Sequence, residues 1–93
     1  MCTYIVEHCD LIGAAKGREW ISIDRAHVAF DHPNSAPLDH ALLIDFVNEA
    51  AGPSGRVAVE LSADSARGLI KAIQAALEAA EKEGALEPVA VTA

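Results

Sequence analysis

Asp31, His32, Asp39 and His40 lie within one ten-residue stretch, on either side of Pro33 and Pro37. Carboxylate and imidazole groups this close support two kinds of chemistry. Two neutral imidazoles and a carboxylate are the ligand types of a divalent metal site that keeps an open position. His32, His40 and Asp31 form such a set, although a spacing of eight between the histidines matches no strong metal motif. A thiol site is the second option. Cys2 would be the nucleophile and His40 its base, with Asp31 or Asp39 orienting the ring. A third reading needs no chemistry. An aspartate before a turn and a His-Pro pair within it are ordinary turn formers, whose polar side chains satisfy their own backbone. Cys2 is then a small buried hydrophobe.

The elements that must hold this stretch follow from the pattern on each side. Residues 3–11 open β-branched and read as a first strand. Gly13 to Gly17 reads as a turn with two glycines. Trp20 to Asp31 is a second strand whose alternation slips. Ile21 and Ile23 are odd, Ala26, Val28 and Phe30 even, so a bulge or break is expected near Asp24-Arg25. The prolines of the loop bar regular pairing. Ala41 to Val47 is apolar on both faces apart from Asp45, as in a central strand. Residues 48–55 form a flexible connection, and Arg56 to Leu61 alternates cleanly as a fourth strand.

Ser62 is a good N-cap, Asp64 suits the first turn of a helix, and Gly84 suits its C-terminal end. Between them, Ala66, Leu69, Ile70, Ile73, Leu77 and Ala80 form an apolar stripe at helical spacing, with Arg67, Lys71, Gln74, Glu78 and Lys82 away from it. The order is ββββα, one α+β domain over residues 1–84 with a tail at 85–93. Val89 to Val91 could add an edge strand. Short links favour a four-stranded antiparallel meander, with the helix laid on one face. That topology gathers Cys2, Asp31, His32, His40 and the Ser62–Asp64 turn at one edge. One helix cannot cover both faces of the sheet, so a homodimer is expected.

Composition narrows the function classes. Net charge is −7, which opposes binding to nucleic-acid phosphates. No apolar run is long enough to span a membrane, and no basic region followed by an apolar stretch opens the chain. Two cysteines, Cys2 and Cys9, are too few for a disulfide scaffold, so a cytoplasmic protein with reduced thiols is the default. Neighbours His8 and Cys9 point to opposite strand faces and do not share a ligand. His27 is a mid-strand residue, half exposed or satisfied. Asp45 needs a cation, which Arg56 or Arg25 could supply. Gly13–Gly17 lacks the strand-to-helix setting of a phosphate loop.

Met1-Cys-Thr3, Phe30-Asp-His-Pro33, Ala36-Pro37-x-x-His40, Ile44-Asp-Phe46 and Arg56-Val-Ala-Val-Glu-Leu61 with its alanine-rich helix form a set. Together they resemble a family of short, mostly actinobacterial proteins of unknown function. The likeness covers nearly the whole chain except the tail. It implies a bacterial, cytoplasmic, stand-alone protein and transfers no activity. The family pattern carries a further loop histidine where this chain has Asn34-Ser35, which weakens a metal site needing three loop histidines. Two functional classes stay open. One is a metal- or thiol-dependent enzyme for a small molecule at the Cys2/His32/His40 edge. The other is a non-catalytic dimeric binding or accessory protein.

Overall fold

A chain of four strand-forming runs joined by short links can pair only with its sequence neighbours, and that is the arrangement found. The computed structural model describes residues 5–87. Strands β1 (Ile5–Lys16), β2 (Trp20–Asp31), β3 (Ala41–Val47) and β4 (Arg56–Leu61) form an antiparallel meander in the order β1-β2-β3-β4. One α-helix, α1 (Ala63–Lys82), follows β4 directly. The expected α+β fold is the one observed.

Two expectations about the first hairpin are corrected. β1 runs through Gly13, which pairs with Ile23, and ends at Lys16 opposite Trp20. The turn is Gly17–Glu19 rather than Gly13–Gly17. β2 is also unbroken. The irregularity lies in β1, where Leu11 and Ile12 stand against the single residue Asp24. Two residues against one is the geometry of a bulge, and it sits beside the place where the parity of β2 changes.

The β3–β4 connection is not slack. Glu49–Ser54 forms a short 3-10 segment, capped by Asn48, whose side chain accepts from the Ala50 N–H. Gly55 closes it: its N–H donates to Gly52 O and its carbonyl accepts from Asn48 N–H at 2.7 Å. A Cβ at Gly55 would lie 2.6 Å from that of Ala51, so the close return of the chain requires glycine there.

The helix ends as its sequence dictates. Ser62 Oγ accepts the Ser65 N–H at 3.1 Å, and Asp64 and Lys82 lie where the macrodipole favours them. Gly84 takes φ 68°, and the Ala85 N–H reaches back to Ala80 O at 2.9 Å, a Schellman closure.

What the helix does with its apolar stripe is less ordinary. Val28, Phe30, Leu42 and Ile44 face it from the sheet, with register partners Ile5, Val59 and Leu61 on the same side. Yet α1 stands off, leaving an apolar groove of about 580 Å³. Leu69, Ile70, Ile73 and Leu77 are 44–54% exposed. Among the described residues the fully buried apolar positions are only Ala26, Ala41 and Ala66. No large side chain of a described residue is sealed from solvent, whereas a core normally encloses several.

Candidate functional site

The loop from His32 to His40 is shaped by its two prolines and by the groups around them. Asp31 Oδ1 accepts the His32 N–H at 2.7 Å. Beyond Pro37, the Leu38 N–H returns to Ala36 O at 2.8 Å, a tight turn suited to the fixed φ of proline. His32 Nδ1 donates to Asp39 O at 3.1 Å, which places the proton of the neutral ring on Nδ1. The His32 and His40 rings lie 4.5 Å apart, tilted by 33°, and His40 also stacks on Phe30 at 6.2 Å. So the structure does bring His32, His40 and Asp31 together. Among the described residues, however, no three His, Cys, Asp or Glu side chains converge where a metal ion could sit. Cys2 lies outside the described residues, and the thiol reading with it.

The strongest anchor of the loop is a residue the sequence did not single out. Alternation puts Glu60 of β4 on the face away from α1, beside Leu43. Its carboxylate accepts three successive loop amides: Ser35 and Ala36 N–H at 2.8 Å on Oε1, and Asn34 N–H on Oε2. The amide of Asn34 first, then those of Ala36 and Ser35, holds the Glu60 pKa below the ordinary glutamate value, against a smaller opposing effect of burial. The loop therefore folds over the sheet face opposite the helix. Leu42 pairs with Leu61, so the loop and the start of α1 share the expected edge of the sheet, where Ser62 is engaged with Ser65 as the helix cap. An opening of about 500 Å³ adjoins the loop, lined by Asn34, Ser35, Ala36, Arg56, Ala58 and Glu60, and neither histidine takes part in its wall.

The same outer face carries a polar band. His8 and His27 are direct cross-strand partners, with Nδ1 to Nδ1 at 2.7 Å and rings edge-to-face at 4.8 Å. One Nδ1 must carry the proton of this contact and the other accept it. His27 Nε2 is 3.6 Å from Glu49, which also lies 3.8 Å from Arg25. Asp45, the β3 partner of His27, takes Arg56 Nε at 2.8 Å and Nη2 at 2.7 Å on one oxygen. Of the two arginines considered for Asp45, Arg56 is the partner found. Arg25 instead leans toward Asp10 at 3.7 Å. The register of the first hairpin is the one signal that could have paired His8 with His27.

A four-stranded meander with one C-terminal helix, open on its helix side and strapped by a loop on the other, is the class of protein these features define. The model of a family of unknown function (DUF6295) matches residues 1–86, and the chain belongs to that family. No curated protein and no solved structure matches it. No helix among the described residues is long and apolar enough to cross a membrane.

Proposed function

We propose that this chain is a non-catalytic binding or accessory protein that works as a homodimer, with the groove between α1 and the sheet as its contact surface. The observation that carries this reading is the half-exposed stripe of Leu69, Ile70, Ile73 and Leu77 above an open apolar groove. Full burial of one such side chain is worth about 1.5–3 kcal/mol, so covering the exposed half of four contributes roughly 3–6 kcal/mol per protomer and roughly 6–12 per dimer. Association itself costs an estimated 4–15 kcal/mol. The stripes alone nearly break even, and the walls of the groove must join them for the dimer to be stable. The loop supports the same reading. The Asp31 carboxylate and the His32 ring bond within the loop, and successive loop amides bond to Glu60, as expected of a structural strap.

One observation favours the enzyme reading: His32 and His40 are neighbours with Asp31 beside them. A divalent metal ion acting on a small molecule would need these three side chains to turn toward one point, which they do not do among the described residues. Metal analysis of untagged protein, with zinc titration of the unmodified chain and of the His32→Ala/His40→Ala double variant, decides between them. The binding-protein reading expects substoichiometric metal and no zinc-dependent rise in melting temperature in either form. One equivalent of retained metal, lost in the double variant, would show a metal site at the histidine pair and overturn the reading of the loop as a mere strap.

A further inference from the structure

We infer that the two copies meet through α1, with the helices antiparallel and crossing near Gln74. This rests on the homodimer reading and adds the geometry of its interface. The first support is the spacing of the stripe. Ala66, Ile70, Ile73, Leu77 and Ala80 recur at intervals of four and three, the seam that packs one helix against another. Their partner within the chain is incomplete, since Ile70, Ile73 and Leu77 remain half exposed. The second support is charge. Arg67, Gln74 and Glu81 sit seven residues apart along one flank of that seam, with Gln74 midway. Arg67 lies on the wall of the apolar groove, and Glu81 lies near the other end of the helix beside Glu78 and Lys82.

A two-fold axis through Gln74 sets Arg67 of each copy opposite Glu81 of the other, about 10 Å of helix from the axis in each direction. In a parallel pairing this flank would face the partner's opposite flank, at Leu69, Ala76 and Glu83, and the contact between Arg67 and Glu81 would not form. Neither Arg67 nor Glu81 has a salt-bridge partner within the chain among the described residues. The placement is also unhelpful to the isolated helix at its end, since Glu81 lies in the last turn, where a negative charge opposes the macrodipole.

Charge reversal tests this without touching the apolar seam. Sedimentation equilibrium would compare the unmodified chain, Arg67→Glu, Glu81→Arg and the double variant Arg67→Glu/Glu81→Arg. Each single reversal is expected to raise the dissociation constant roughly tenfold or more, because two attractive contacts become repulsive at once. The double variant is expected to return close to the unmodified value. Thermal melts at one fixed low concentration separate interface from fold: for a purely intrachain role, Glu81→Arg should stabilise through the dipole. A dimer unaffected by the single reversals, or not restored by the double, overturns the antiparallel helix interface while leaving the homodimer in place. An unmodified chain that is monomeric overturns the homodimer itself.

Discussion

Replacing Ile73 with glutamate is expected to convert the dimer to monomer. Ile73 sits in the middle of the exposed stripe, is 50% exposed, and lines the groove against Val28, Phe30 and Ile44. In a symmetric pair the substitution removes two apolar side chains from the interface and brings two carboxylates toward each other in apolar surroundings. A loss of about 3 kcal/mol or more of association free energy is expected, on the order of a hundredfold or more in the dissociation constant. Because so little large apolar surface is sealed within one copy, the thermal transition should fall as well and lose its dependence on protein concentration. Lys71→Gln, off the stripe, is the control. It should change stability by no more than about 0.5 kcal/mol and leave the dimer intact. If Ile73→Glu sediments and melts like the unmodified chain, the stripe is not an interface.

Glu60→Ala should free the loop while leaving the sheet in place. Three backbone amides, of Asn34, Ser35 and Ala36, lose their acceptor together. Hydrogen exchange at those amides is expected to accelerate by an order of magnitude or more relative to the strands, since an exposed loop held by one side chain opens when that side chain is gone. The pH dependence follows from the lowered pKa. A carboxylate whose folded pKa is depressed contributes stability that is fully present above its ordinary value, 4.5, and is lost as pH falls through the lower folded pKa. The acid limb of the stability curve should therefore carry a Glu60 component, and Glu60→Gln should flatten it. Equal acid sensitivity in the Gln variant, with unchanged exchange at Asn34–Ala36 in the Ala variant, would show that the carboxylate does not hold the loop.

Where local chemistry decides an element, the sequence was enough. β2, β3 and β4 begin and end where proline, glycine and the N-cap Ser62 require, and α1 closes on Gly84 as its residue type suggests. The first hairpin shows where local signals stop. Gly13 is compatible with a turn, but it is also tolerated in a strand beside Ile23, and only pairing chooses between them. Moving the turn from Gly13–Gly17 to Gly17–Glu19 shifts the register, and the register is what brings His8 against His27. The parity change near Asp24 was visible, yet a bulge belongs to a pair of strands, and one sequence does not say which strand holds the extra residue.

The candidate site divides the same way. That Asp31, His32 and His40 share a neighbourhood followed from their loop. That Glu60 holds this loop did not, because the contact joins residues more than twenty positions apart and depends on which sheet face the loop folds over. The helical period identified the apolar stripe of α1, but it gave no account of how far the helix stands from the sheet. That distance turns an ordinary amphipathic helix into a surface in need of a partner.

Sedimentation equilibrium of the unmodified, untagged chain, over roughly 1–100 µM at moderate salt, tests the homodimer most directly. A stable interface of this kind has a dissociation constant at or below about 1 µM. The expected result is a mass twice that of the single chain across most of that range, with dissociation only at its lower end. A single-chain mass at every concentration, with helical and strand content and a cooperative thermal transition intact, would contradict it.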